Sequence, residues 1–498
     1  MNTAEALEYY RKKIKQIHAL NHAQGVMYVD AVTAAPAESA EGRGETMEYL
    51  ANLSYEAEND PGLKEAAKYL SEHKDELNAQ DRREIEVFLR NNEYISSIPQ
   101  AEYTAYSVLL NNAEAVWHKA KLENDFAAFA PYLKEIFETN KRFAGYYKPE
   151  KDPYDVQLDL YEKGLTREKA DQFFDALRAK IVPLLKKVMA KPQVDDSFLR
   201  QSFPIEAQRK FSDYLMDTIT IDPNRCTLRE TEHPFTDAFN KKDVRITTHY
   251  HEDMVLSSMF SVIHEGGHAL YELHSGDNLE GTVLSGGVSM GIHESQSRLY
   301  ENLIGRSRAF IDLIFPKMQE YFPAQLAGVT AEQMYLAANR AEPSLIRTEA
   351  DELTYCLHIM VRYEIEKALF AGTVSVEDLP RLWNEKYKEY LGIDVPSDRE
   401  GVLQDSHWAG GNVGYFPSYA LGSAYGAQIL AKMREMVDVD KVVSSGDLMP
   451  ITNWLEENIW QYGGLYDPME LLERCCGAPF DPTYFTDYLE KKFTGIYN

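Results

Sequence analysis

Cysteine is scarce in this chain, and its spacing argues against a structural role. The 498 residues contain four cysteines, none in a CxxC pair. Two of them are adjacent and therefore badly placed for an ordinary disulfide bridge. Free cysteine is among the most buried residue types. We therefore predict reduced core thiols, rather than disulfides or metal ligands, at Cys226, Cys356, Cys475 and Cys476.

The sequence also lacks long apolar runs. No stretch approaches the roughly 18 uninterrupted apolar residues that a membrane-spanning helix requires. The opening residues, MNTAEALEYYRKKIKQ, have no apolar core of the length found in a secretory signal peptide. The sequence predicts a protein that does not associate with membranes and that has a cytoplasmic location.

Basic residues are few relative to acidic ones. The chain has 52 Lys and Arg against 79 Asp and Glu, a formal net charge of −27. A surface of this charge repels the phosphates of nucleic acids and of anionic lipids. Hydrophobic residues at 44% and charged residues at 26% match a folded globular protein. We expect an enzyme-sized globular body that does not bind nucleic acid.

Apolar residues recur at helical period over most of the chain. Examples are AEALEYYRKKIKQIHAL, DQFFDALRAKIVPLLKKVMA from Asp171 and ADELTYCLHIMVRYEIEKALF from Ala350. Alternating β-branched and polar residues are confined to about 217–250, in DTITID and DVRITTHY. No repeat or linker separates domains. The sequence predicts a mainly α fold with one small β-sheet, built as a single domain over 1–498.

The segment FSVIHEGGHALYELH contains an HExxH pattern inside an apolar helical run. His264 and His268 are four residues apart, so both imidazoles project from one helical face and can share a metal. Glu265 can reach a water at that metal without binding the metal, which is the position of a general base. Gly266 and Gly267 each cost a helix about 1 kcal/mol relative to Ala. We therefore expect close approach of a substrate or of another backbone there.

A third metal ligand is predicted downstream, because a catalytic zinc generally has three protein ligands and one open position. Glu294 lies in GIHESQSRLYENLIG, whose apolar spacing fits a second buried helix after a Gly-rich turn. The alternative is a surface carboxylate paired with Arg298, one helical turn later. The upstream motif favours Glu294 as the ligand.

These motifs resemble those of the M32 metallocarboxypeptidases of the thermostable, bacterial type. The resemblance rests on HPF at 233–235, DVRIT at 243–247, HEGGH at 264–268, HESQS at 293–297, IRTEAD at 346–351 and GVLQDSHW at 401–408. It implies a large helical metallopeptidase with a deep active-site groove, lined by the helix that carries HEGGH. It also implies a homodimer and carboxypeptidase activity that requires zinc or cobalt. Helices of about 1–80 are a candidate lid over this groove.

A more distant similarity to the thimet-type oligopeptidases lies in HWAGGNVGYFPSYALG. It implies that His407 and Tyr419 donate hydrogen bonds to the oxyanion that forms when a peptide carbonyl is attacked. The alternative is aromatic packing in the core, which we expect for Trp408, Tyr415 and Phe416.

Recognition of a substrate terminus is predicted at the IRTEAD motif. Arg347, Asp351, Thr354 and His358 have helical spacing and are predicted to form one polar stripe on a helix that starts at Ile346. The alternative is a solvent-facing stripe in which Arg347 pairs with Asp351. A guanidinium can hold a carboxylate through two parallel hydrogen bonds. The motif's place in the family makes Arg347 the predicted contact for the terminal carboxylate.

The family resemblance places the HPF and DVRIT segments at the closed end of the groove. His233 and Arg245 are therefore secondary candidates for the same anion or for limiting substrate length.

The predicted function is a zinc-dependent metallocarboxypeptidase of broad specificity, acting on peptides with a free C-terminus. One Zn²⁺ per chain is expected, with Co²⁺ as a substitute, and Glu265 takes a proton from water and later gives it to the leaving amine. One alternative is an oligopeptidase that cleaves internal bonds in a groove open at both ends. Another is a peptide-binding protein whose metal is structural. Glu265 argues against the latter, because a structural site does not need an unliganded base.

Overall fold

The computed structural model describes residues 2–498, and helices dominate it. It is 68% helical, which confirms the prediction of a mainly α fold. Within these residues the α-helices are α1 Thr3–Thr33, α2 Ala40–Glu58, α3 Pro61–Glu72, α4 Ala79–Ser96, α5 Gln100–Glu123, α6 Phe126–Tyr147, α7 Pro153–Tyr161, α8 Arg167–Met189, α9 Ile205–Thr218, α10 Val255–Leu273, α11 Met290–Arg298, α12 Arg308–Tyr321, α13 Ala331–Ala338, α14 Tyr355–Ala371, α15 Leu379–Tyr390, α16 Pro417–Met433, α17 Val439–Ser445, α18 Met449–Asn458, α19 Pro468–Cys476 and α20 Thr483–Ile496.

One small sheet lies against α10. Its strands are β1 Cys226–Glu230, β2 Thr236–Asn240 and β3 Asp243–Thr248. The central strand β3 pairs in parallel with β1 and antiparallel with β2, and both β2 and β3 contact α10. The fully buried side chains of Val244 and Ile246 anchor the sheet to the core. The predicted small sheet is confirmed.

The strand prediction for DTITID is wrong. Its first residues end α9, where the Thr218 hydroxyl donates to the carbonyl of Tyr214, one turn earlier. Ile219 and Ile221 are both buried, and Thr220 between them has a positive φ of 70°. The alternating pattern reflects two isoleucines packed into the core at a turn, not a strand.

Helices α10 and α11 meet backbone to backbone. A Cβ at Gly267 would lie 2.6 Å from the carbonyl oxygen of Gln296 and 2.7 Å from Cα of Ser297. A Cβ at Gly266 would collide with the Cδ1 atom of Ile219. At Gly267 the close approach is that of another backbone, one of the two causes expected from the sequence, whereas at Gly266 it is that of a side chain.

The prediction that a helix starts at Ile346 is wrong. Helix α14 begins at Tyr355, and Arg347–Glu349 form a single 3₁₀ turn before it. The Asp351 carboxylate accepts hydrogen bonds from the backbone N–H groups of Leu353 and Thr354, at 2.8 and 3.1 Å. A side chain that caps backbone donors in this way favours a helix start over a helix interior. The four polar residues therefore do not share one helical face.

The described residues form two large buried hydrophobic clusters and a small third one of Val87, Leu279 and Leu284. The largest runs from Ala113 to Tyr497, and the second joins α1, α3 and α4 around Tyr10, Leu70 and Phe88. All four cysteines are buried and free, as predicted. None of the helices between residues 2 and 498 has the length and apolar character needed to cross a membrane. The single domain and the lid stay predictions.

Gly267→Ala should destabilise the protein, because its methyl group would strike backbone atoms that cannot rotate away. We expect a loss of about 1–3 kcal/mol or more in the free energy of unfolding. The matched control is Gly145→Ala, also within a helix but with no atom within 4 Å of the added Cβ. This control should gain up to about 1 kcal/mol. Melting temperatures measured side by side check the pair, and equal stabilisation by both variants would contradict this contact.

Candidate active site

Three potential metal ligands converge where α10 crosses α11. Nε2 of His268 lies 3.5 Å and Nε2 of His264 lies 3.8 Å from Oε2 of Glu294. Donor atoms around a tetrahedral zinc, with bonds of about 2.0–2.1 Å, lie roughly 3.3 Å apart. The three donors, all within 4.8 Å of one another, fit such an ion.

Glu294 contacts both Arg298 and the two histidines, the two interactions that the sequence offered as alternatives. Nε of Arg298 donates to Oε1 of Glu294 at 2.7 Å, so the ion pair one helical turn apart is present. Glu294 is buried, however, and Oε2 of the same carboxylate faces the two histidines. The surface alternative is wrong, and the ion pair orients the proposed ligand.

Further side chains bind the outer nitrogens of both histidines. Nδ1 of His264 lies 2.8 Å from Oε2 of Glu301. Nδ1 of His268 lies 2.7 Å from Nδ1 of His293, whose Nε2 lies 2.8 Å from Oε1 of Glu272. A carboxylate only accepts, so His293 donates to Glu272 and accepts from His268. Both ligand histidines thus keep Nε2 free for a metal.

Three residues that contact the histidines or each other here were not predicted from the sequence: Glu272, His293 and Glu301. Glu272 is four residues after His268 in α10, a spacing that places both on one helical face. His293 directly precedes Glu294 in the HESQS motif. Glu301 lies in a π-helical turn, Leu299–Gly305, that continues α11. Local spacing could have indicated Glu272 and His293. The position of Glu301 could not be predicted, because it depends on a π-helical turn that an α-helical pattern does not reveal.

The electrostatics of the site suit a cation. Burial acts to raise the pKa of Glu294, but Arg298 and His264 outweigh it and hold that pKa well below its usual range. Arg298 and His264 likewise outweigh burial at Glu301, whose pKa falls to about 2. Burial lowers the pKa of His268 to about 4. Both carboxylates are therefore ionised and His268 is neutral, which are the forms that support metal binding.

Glu265 lies beside this trio without joining it. Its side chain is buried, with 7% of its surface exposed, and burial raises its pKa. The hydroxyl of Thr236 donates to its Oε2 at 2.6 Å. The structure thus places Glu265 next to the predicted ligands and outside their donor set, as the sequence predicts.

His407 and Tyr419 form a contacting pair. Nε2 of His407 lies 3.2 Å from the hydroxyl oxygen of Tyr419. Burial lowers the pKa of His407 to about 4 and raises that of Tyr419, so the ring is neutral and the hydroxyl keeps its proton. Tyr419 lies on α16, and a Cβ at Gly422 of this helix would lie 2.6 Å from Cβ of Glu294. Close packing of α16 on α11 therefore brings Tyr419 towards the metal ligands.

Arg347 joins the same cluster. Its Nε and Nη2 donate to Oδ1 of Asp405 at 3.1 and 3.0 Å, and Nη1 donates to the Tyr355 hydroxyl at 3.1 Å. The guanidinium carbon lies 5.0 Å from the centre of the Tyr419 ring. Only 6% of Arg347 is exposed. A solvent-facing Arg347 paired with Asp351 is therefore excluded, because its carboxylate partner is Asp405.

His233 and Arg245 are not part of this cluster. His233 is exposed in the segment before β2, and Arg245 on β3 pairs with Asp243, with Nη2 3.0 Å from Oδ2. Within residues 2–498, no hydrogen bond or ion pair joins either one to Arg347 or to the metal trio. Their role in binding substrate stays a prediction.

The aromatic residues near His407 divide into two groups. Trp408 and Phe416 are buried, and Nε1 of Trp408 donates to Glu366 at 2.7 Å, so their packing role is confirmed. Tyr415 is only partly buried, and its ring centre lies 5.1 Å from that of Tyr419. Tyr415 therefore contacts Tyr419 as well as the core, which the packing prediction did not include.

Comparison with known proteins identifies the family. Residues 9–493 match the family described as Carboxypeptidase Taq (M32) metallopeptidase. The chain belongs to the M32 family. This M32 chain is 42% identical over 488 residues to Carboxypeptidase 1 of Bacillus subtilis (strain 168), covering 97% of each protein. It is 35% identical to Thermostable carboxypeptidase 1 of Pyrococcus furiosus, covering 98% of each.

The fold agrees with this membership. The crystal structure of the M32 carboxypeptidase from Deinococcus radiodurans R1 superposes with a TM-score of 0.96 at 34% identity, over 99% of each chain. The resemblance stated from the motifs is confirmed, and the M32 chain is a metallocarboxypeptidase that acts on peptides and whose family implies a metal ion.

Glu301→Gln should weaken Zn²⁺ binding by about 10- to 100-fold, because a neutral amide no longer supports His264 with negative charge. The control is Glu320→Gln on α12, whose partner Lys317 is a surface residue. Competition with a chelator of known affinity measures the dissociation constants. Equal affinity in wild type and Glu301→Gln would show that Glu301 does not support the metal site.

Proposed function

We propose that this M32 metallocarboxypeptidase uses zinc to release C-terminal residues from peptides, with broad specificity and with Glu265 as its general base. The observation that carries this proposal is a buried two-histidine, one-glutamate donor set beside an unliganded glutamate. When bound, zinc or a cobalt substitute polarises the scissile carbonyl and lowers the pKa of water. The Pyrococcus furiosus relative has been solved in an Apo-Mg form, so magnesium belongs among the metals to compare.

Glu265 takes a proton from the attacking water at a carboxylate oxygen. The same carboxyl group then delivers that proton to the nitrogen of the leaving amine, which breaks the peptide bond. No covalent intermediate with the protein is required. Because Glu265 is held on α10 next to His264, its carboxyl stays at the reacting centre through both proton transfers.

Tyr419 and His407 stabilise the negative charge that develops on the carbonyl oxygen. The high pKa of Tyr419 keeps its hydroxyl protonated, and this hydroxyl can therefore donate to the oxyanion. The neutral ring of His407 lies against that hydroxyl and limits its orientation. Tyr419 faces the site from α16 and His407 from the turn before that helix, whereas the base faces it from α10.

Arg347 is proposed to bind the terminal carboxylate of the substrate. Of its five N–H donors, three are used by Asp405 and Tyr355. The remaining two suffice for the two oxygens of a carboxylate. An anion held beside Tyr419 would fix the last peptide bond near the metal ligands and disfavour internal bonds. This arrangement favours a carboxypeptidase over an oligopeptidase that cleaves internal bonds.

Several properties remain predictions from the sequence and from the family resemblance. They are a homodimer, a cytoplasmic location, a single domain with an N-terminal lid, and a part for His233 and Arg245 at the closed end of the groove.

Hydrolysis of paired N-blocked dipeptides tests the proposal. The zinc-loaded enzyme should cleave peptides with a free C-terminus and lose nearly all activity on the same peptides as C-terminal amides. A chelator should abolish cleavage, and Zn²⁺ or Co²⁺, but not Mg²⁺, should restore it. Arg347→Ala should reduce kcat/KM on the free acids, on the scale of about 2–5 kcal/mol for breaking a buried charge contact, and leave metal content unchanged.

The outcomes separate the alternatives. Equal cleavage of acids and amides would identify an endopeptidase of the same chemistry. No cleavage of either peptide by fully zinc-loaded protein would identify a peptide-binding protein. Unchanged kcat/KM for Arg347→Ala would remove Arg347 from carboxylate recognition.

A further inference from the structure

The hydroxyl of Thr236 contacts Glu265 at two points. Its Oγ1 lies 2.6 Å from Oε2 of the side chain and 3.1 Å from the main-chain carbonyl oxygen of Glu265. The two residues are 29 positions apart in the sequence, one on β2 and the other on α10. Through this hydroxyl the small sheet contacts the residue proposed as the base.

The backbone around Thr236 is held firmly. Phe235, just before it, donates its N–H to the Thr247 hydroxyl at 2.9 Å and accepts from the Thr247 N–H at 2.9 Å. Thr236 itself pairs with Ile246, and both Ile246 and Thr247 are fully buried. Thr236 thus presents its hydroxyl from a paired strand that is anchored in the core.

We propose that Thr236 is a positioning residue for the catalytic base, which it holds by one carboxylate oxygen so that the other faces the substrate. This inference rests on the proposed function, in which Glu265 is the base. It assigns a task to the small sheet, which packs beside α10.

The hydroxyl has one hydrogen and can donate to only one acceptor at a time. The main-chain carbonyl of Glu265 is the competing acceptor, but it is farther away, uncharged and also an acceptor within the helix. A short O–H···O bond to an ionised carboxylate is the stronger of the two. The Thr236 hydrogen therefore goes to Oε2.

This bond distinguishes the two oxygens of Glu265. Within residues 2–498, no side chain donates to Oε1. The proton of the attacking water moves to Oε1 and then to the amine nitrogen, while the Thr236 hydrogen stays on its own oxygen. Without the hydroxyl, the terminal torsion of a glutamate has a broad range, and misplacement of a base by about 1 Å can cost on the order of 100-fold in rate.

Thr236→Val tests the proposal, because it removes the hydroxyl but keeps a β-branched side chain of similar shape on the strand. We expect kcat to fall by about tenfold or more, as for loss of a hydrogen bond to a charged group, with KM within about twofold. Thr236→Ser, which keeps the hydroxyl, should recover most of kcat. The matched control is Thr227→Val on β1, half-buried in the same sheet, which should match wild type.

A second measurement does not depend on turnover. Crystal structures of the metal-free proteins should show one Glu265 side-chain conformation in wild type and a displaced or multiple conformation in Thr236→Val. Zinc content per chain should be equal in all four proteins.

Two results would overturn the proposal. One is a Thr236→Val variant with wild-type kcat and an unmoved Glu265. The other is a Thr236→Ser variant as impaired as Thr236→Val, which would assign the effect to the lost methyl group. Failure of the proposed function looks different, because the wild-type enzyme itself would then not cleave free-acid peptides.

Discussion

Helices α10 and α11 approach each other at Gly267 to a distance that no side chain would allow. This contact places His264 and His268 of one helix against Glu294 of the other, and the proposed metal site depends on it. At Glu294 itself, Gly422 lets α16 approach as closely and brings Tyr419 with it. Gly267 and Gly422 therefore set how closely the helices pack that carry the proposed ligands, base and oxyanion donor. The ligand positions follow from backbone packing, which is stiffer than side-chain packing.

Charge is the second requirement for this arrangement. Burying Glu294 and Glu301 is costly unless cations or hydrogen-bond donors compensate them. Arg298 contacts both carboxylates, at 2.7 and 3.2 Å, and its guanidinium carbon lies 4.1 Å from the centre of the Tyr355 ring. The Tyr355 hydroxyl in turn accepts from Arg347. The metal ligands and the proposed carboxylate contact thus belong to one continuous buried network, in which loss of one charge leaves its partner uncompensated.

The parts of this site that could be predicted from the sequence are local ones. The HExxH spacing predicts two proposed ligands and a proposed base on one helix, and the HESQS motif contains the third proposed ligand. Contacts between segments that are distant in the sequence could not be predicted from local patterns. Examples are Arg347 with Asp405, 58 residues apart, and Thr236 with Glu265. The prediction of one polar helical stripe in IRTEAD was wrong because the Asp351 carboxylate accepts hydrogen bonds from backbone N–H groups before the helix. Helical spacing alone does not reveal such a cap. The prediction of a strand in DTITID was wrong because two buried isoleucines at a turn give the same alternation of apolar and polar residues as a strand.

The proposed mechanism depends on Glu265 acting as a base that does not bind the metal, and Glu265→Gln tests this role most directly. The amide preserves the shape of the side chain and removes its ability to take a proton. The measurement is zinc per chain together with kcat on a free-acid dipeptide, for wild type and variant prepared alike. We expect wild type and variant to hold equal zinc and the variant to lose about 10²-fold or more in kcat. Wild-type turnover in a variant that holds its zinc would contradict it.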